Sequence, residues 1–125
     1  MPTRVLDGRA ILVVEDEPLV ALDIAEILGA AGAICLTANT LEDALNAAER
    51  SEITAAIVDR ALKDGDTTKL CERLNKRSIP FMIYSGFNKT VRGACATAPH
   101  LKKPATDVQL VTAMVNLILR PAAAH

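Results

Sequence analysis

The chain of 125 residues has no tryptophan, one tyrosine and two phenylalanines. It offers no aromatic platform for stacking bases. With 14 basic against 15 acidic residues and a formal net charge of -1 it has no basic face either, and the two absences together argue against nucleic-acid binding. No Pro-, Gly- or Ser-rich stretch and no run of like charge interrupts a sequence that is half hydrophobic, which excludes a disordered chain. The opening "MPTRVLDGRA" lacks the apolar core of a signal peptide, and "ILGAAGAICL" is too short and glycine-broken to span a bilayer. A cytoplasmic protein without membrane contact is the expectation. Cys35, Cys71 and Cys95 are odd in number, far apart and without CxxC spacing, so all three are expected as reduced thiols. His100 and His125 have no metal-ligand spacing.

What is present is a repeated alternation. Continuous apolar runs recur at "AILVV" (Ala10 to Val14), "AICLT" (Ala33 to Thr37), "AAIVD" (Ala55 to Asp59), "PFMIY" (Pro80 to Tyr84) and, weakly, "PHLK" (Pro99 to Lys102). Such runs suit strands covered on both faces. Helical patterns lie between them: Pro18 to Ala31, Leu41 to Arg50, Asp66 to Arg77, a short one near Asn88 to Ala96, and a fifth from Asp107 to Leu119. Pro18 suits a first helical turn, Gly32 a stop, and Thr40 or Asp66 an N-cap. Strict βα alternation implies a doubly wound parallel sheet. The expected fold is flavodoxin-like, (βα)5 with strand order 2-1-3-4-5, in a single domain over residues 1–125 with its core at about 9–120.

In such a sheet ligands bind outside the carboxyl ends of the strands, where strand order reverses. Strand one ends in Glu15 and Asp16, strand three in Asp59, strand four in Ser85, and strand five in Lys102, Lys103 and Pro104. Each alone has a plain explanation as a turn or cap residue. Together, three carboxylates on one rim would repel one another unless a positive charge sat among them. Magnesium, which prefers carboxylate oxygens and water, is the natural partner. A metal beside Asp59, a hydroxyl on Ser85 and an ammonium on Lys103 suit phosphoryl transfer, with Asp59 as the attacking carboxylate.

At these residues the sequence resembles the receiver domains of two-component response regulators, over essentially its whole length. The resemblance implies that Glu15 and Asp16 bind magnesium (or manganese) and that Asp59 in "IVDRAL" accepts the phosphoryl group. It implies that the backbone carbonyl of Ala61 completes the metal site and that Ser85 in "YSGF" turns toward the phosphoryl group. It assigns the conserved lysine to Lys103 in "LKKP", before a proline usually joined to it by a cis bond. The donor would be a sensor histidine kinase or a histidine phosphotransfer protein, and the protein a switch rather than an enzyme.

The chain departs from the pattern at three places. Lys63 stands where many receivers have proline, a charged Arg60 follows Asp59, and His100 occupies the strand-five position of the usual switch aromatic. The segment between Ser85 and Lys103 contains Gly86, Gly93 and Pro99, and points to a truncated fourth helix. Only "RPAAAH" follows the fifth helix, so no output domain is expected and the signal would leave through an unidentified protein target. The fifth helix has more apolar arc than packing on a sheet requires: Val108, Val111, Val115, Ile118 and Leu119 on one face, Leu110, Met114 and Leu117 on the next. The excess fits a homodimer or partner face, and equally a helix tucked deeper under its neighbours.

Three other readings compete. A receiver-like interaction module independent of phosphorylation is opposed by the five site residues. An aspartyl phosphatase would want a carboxylate where Ala61 stands. A flavin carrier would need a glycine- and hydroxyl-rich loop where "EDEPLV" stands.

Overall fold

The computed structural model describes residues 4–59, 67–86, 95–96 and 98–120. Its elements run β1 (Ala10–Val14), α1 (Pro18–Ala30), β2 (Ile34–Ala38), α2 (Leu41–Ala47), β3 (Ile53–Asp59), α3 (Thr67–Lys76), β4 (Phe81–Ser85), β5 (His100–Lys102) and α4 (Asp107–Leu119). The five strands form one parallel sheet in the order β2-β1-β3-β4-β5. This is the flavodoxin-like arrangement expected from the alternation. The helix α4 is the fifth helix of the sequence reading; the helix expected near 88–96 falls largely outside the described residues, as do Arg60, Lys63 and Asp66.

Local chemistry sets the element ends. Pro18 opens α1, where its missing N–H costs nothing. Gly32 follows α1 at φ 104°, and a Cβ there would lie 2.7 Å from the Asp7 Cα, so both conformation and crowding demand glycine. Thr40 caps α2 by accepting the Asp43 N–H at 3.0 Å. In α4, Thr106 accepts the Gln109 N–H at 3.1 Å while the Gln109 side chain accepts the Thr106 N–H at 2.9 Å, a reciprocal capping box.

The central strands split their apolar side chains between two cores. Leu12 and Val14 of β1, Ala56 and Val58 of β3 and Ile83 of β4 pack on one face with Leu70 and Leu74 of α3. Ile11, Val13, Ile57 and Met82 pack on the other with Ile24 and Leu28 of α1 and Leu110, Met114 and Leu117 of α4. The edge strands differ from the expectation of two covered faces: Ile34 of β2 is 66% exposed, and His100 and Lys102 of β5 are exposed. An edge strand has a neighbour on one side only, and fewer side chains close over it.

One expectation is corrected. Cys71 of α3 and Cys95 are not reduced thiols but joined as a disulfide, with a Cα separation of 5.3 Å. The parallel wrap of the chain brings together cysteines 24 residues apart, which no spacing rule connects. Cys35 is the free cysteine among the described residues; it is half-buried on β2, and burial pushes its thiol pKa up to about 11.

Candidate functional site

The strand order reverses between β1 and β3, and the carboxyl ends of these strands carry the acids. β1 ends at Val14, which is in register with Val58 of β3. The next residue on each strand is therefore Glu15 or Asp59, side by side, and both are buried. Asp16, half-buried, completes a group in which one carboxylate oxygen from each residue lies within 4.8 Å of those of the other two. The backbone at Glu15 is held twice, by its N–H donating to the Ala38 carbonyl at 3.0 Å and by its carbonyl accepting from the Asn39 amide at 2.8 Å. Its side chain also accepts the Glu17 N–H at 3.2 Å.

Lys103 supplies the counter-charge. Its Nζ donates to Glu15 Oε1 at 2.8 Å and stands 3.5 Å from Asp59 Oδ1. The lysine backbone N–H donates to the Ser85 carbonyl at 2.9 Å, which fastens it to the end of β4, and the Lys103–Pro104 peptide is cis. Burial pushes the Glu15 carboxyl up to about 7. The bond from Lys103 opposes that rise, and the neighbouring Asp59 adds to it. Burial works against the Lys103 ammonium, but the bond to Glu15 and the charge of Asp59 outweigh it and hold its pKa above the ordinary lysine value.

The structure thus gathers Glu15, Asp16, Asp59 and Lys103, with Ser85 buried at the end of the adjacent strand. Ala61 lies outside the described residues. His100 is exposed on β5, in register with Ile83. Lys102 is exposed, and Lys103 is the lysine that meets the acids. Three clustered carboxylates, two of them buried, are a donor set suited to a hard divalent cation. Two contributors were not singled out from sequence. Asn39 follows β2 and gives no sign of its bond to Glu15. Tyr84 reads in the sequence only as a strand residue, although a buried tyrosine hydroxyl requires a partner.

Fold and rim together define a flavodoxin-like α/β domain with an acid-and-lysine site at the carboxyl end of its sheet. Within that class the chain belongs to the response regulator receiver domain family, whose model matches residues 11–115. Receiver domains are signalling domains of two-component systems rather than classical enzymes; they bind Mg2+ at an acidic pocket and interact with histidine kinases or phosphotransfer proteins. Solved structures agree on the fold. The non-phosphorylated HemR receiver domain from Leptospira biflexa superposes with a TM-score of 0.79 at 21% identity, covering 94% of this chain and 99% of that one. The N-terminal domain of a response regulator/sensory box/GGDEF three-domain protein from Carboxydothermus hydrogenoformans gives 0.78 at 23% identity, covering 88% and 94%. A response regulator receiver protein from Sinorhizobium medicae gives 0.77 at 22%, covering 90% and 96%. No curated protein matches the chain significantly.

Proposed function

We propose that the chain is a phosphorylation-activated switch that accepts a phosphoryl group from a phosphohistidine onto Asp59. The observation that carries this reading is the Lys103 ammonium set between two buried carboxylates, 2.8 Å from Glu15 and 3.5 Å from Asp59, at the reversal point of the sheet. In the transfer an Asp59 oxygen forms the new O–P bond as the P–N bond of the donor breaks, and that electron pair stays on the departing imidazole nitrogen. Lys103 needs only a small swing from Glu15 to meet a phosphoryl oxygen on Asp59, and Ser85 lies at the adjacent strand end to bond another. Glu15, Asp16 and Asp59, with the Ala61 carbonyl, are the residues to hold Mg2+ (or Mn2+). Such an ion supplies positive charge to the phosphoryl oxygens.

The donor is a sensor histidine kinase or a histidine phosphotransfer protein, and the output is a changed surface read by a further protein. Intact mass after incubation with acetyl phosphate tests the proposal. We expect a magnesium-dependent gain of one phosphoryl group, absent in Asp59→Ala. No gain by a folded chain, from acetyl phosphate or from a phosphohistidine donor, would favour the phosphorylation-independent interaction module.

A further inference from the structure

Tyr84 is the chain's one tyrosine, and it stands between Asp59 and the segment that carries Lys103. In β4 it is in register with Asp59 of β3 on one side and Leu101 of β5 on the other. It is only 8% exposed, and its side chain makes two contacts with the turn after β5. The hydroxyl accepts the Ala105 N–H at 3.1 Å. The Lys103 Nζ lies over the ring, 5.3 Å from its centroid.

Pro104 has no N–H, so the turn has two donors with which to anchor itself, the amides of Lys103 and Ala105. Lys103 N–H goes to the Ser85 carbonyl at 2.9 Å, and Ala105 N–H goes to the Tyr84 hydroxyl. Two consecutive residues of β4 therefore hold both flanks of the proline. The ring then covers the ammonium that Glu15 and Asp59 face, within cation–π reach. Lysine is a flexible, rotamer-rich side chain. Small misplacement of a charged group costs a large part of its effect on a developing charge.

We propose that Tyr84 is a positioning residue for Lys103, its hydroxyl pinning the turn and its ring confining the ammonium beside Asp59. The proposal rests on the reading of Asp59 as phosphoacceptor and adds to it a device that acts through the lysine. A tyrosine that merely satisfies its own hydroxyl would fill the same space, and the two roles separate in a double-mutant cycle.

The experiment compares initial phosphorylation rates from acetyl phosphate in wild type, Tyr84→Phe, Lys103→Ala and the double variant, with magnesium affinity measured alongside. Tyr84→Phe keeps the ring and is expected to slow phosphorylation about threefold to tenfold, the equivalent of one hydrogen bond, with magnesium affinity unchanged. In the Lys103→Ala background the same change should have no further effect, because the group being positioned is gone. A Tyr84→Phe rate equal to wild type, or the same fold-loss in both backgrounds, overturns the proposal. If the wild-type chain gains no phosphoryl group from acetyl phosphate or from a phosphohistidine donor, the phosphoacceptor reading fails instead. Amide exchange at Ala105, measured without phosphodonor, then decides the tether: faster exchange in Tyr84→Phe upholds it, and unchanged exchange removes it.

Discussion

Glu15 shows how a single buried carboxyl sets a pH dependence. Its folded pKa of about 7 lies above the ordinary value of 4.5, chiefly because it is buried and secondarily because Asp59 is beside it. Between these two values the folded chain holds a proton that the unfolded chain has released. Stability from this group is therefore full below about pH 4.5 and lost as pH rises through 7. The metal-free protein should be less stable at pH 8 than at pH 5, by on the order of 3 kcal/mol from this residue alone. Urea unfolding in chelator at the two pH values checks it. Glu15→Gln should flatten the difference, and if the variant keeps the full slope, another group is responsible. The Lys103 shift does not enter this window, since its pKa is raised from an already high 10.5.

At the scale of elements, the disulfide joins α3 to the short segment before β5, with both sulfurs in or beside the core under α2 and α3. Closing a loop of this length restricts the unfolded chain and contributes about 3 kcal/mol. Reduction, or Cys71→Ser with Cys95→Ser, should lower the urea midpoint accordingly while Cys35→Ser leaves it nearly unchanged. Thiol titration of the unfolded chain gives a direct count. One thiol, from Cys35, is expected before reduction and three after it. Three thiols without reductant would return the pair to the reduced state inferred from spacing.

Across the whole molecule, α1 and α4 pack beside each other and leave a groove lined by Asp23, Glu26, Ile27, Val108, Val111 and Val115. Leu19 and Leu22 of α1 are 81% and 53% exposed, and Val108 and Leu119 of α4 are 75% and 71% exposed. The excess apolar arc of α4 is thus split. Leu110, Met114 and Leu117 are buried, whereas Val108 and Leu119 face outward. Leu110→Arg or Met114→Glu should unfold the domain, at a cost above about 3 kcal/mol. Val108→Glu and Leu119→Glu should change stability by less than about 0.5 kcal/mol. These outward substitutions are the ones that test the proposed homodimer through this helix: the solution mass of a dimer should fall to that of a monomer. Among the described residues no helix is long and apolar enough to cross a membrane.

The sequence by itself determined the alternation of strands and helices, the sheet order and the acids at the strand ends. The elements and the acids follow from local rules: continuous apolar runs, a cap at Thr40, a stop at Gly32, and charge placed directly after a buried strand; the sheet order follows from the fold-level rule for strict βα alternation. Its boundaries were off by one to three residues, as at Ile53, where β3 starts two residues before the apolar run suggests, and at α2, which ends at Ala47 rather than Arg50. Only the tertiary structure decided that Asn39 holds Glu15, that Tyr84 reaches across to Ala105, and that Cys71 bonds Cys95. Each of these joins positions far apart in the chain or on different strands, and the contact exists because the sheet sets them side by side. Exposure along β2 and α4 was equally hidden, since an apolar side chain reads the same whether a neighbour covers it or not.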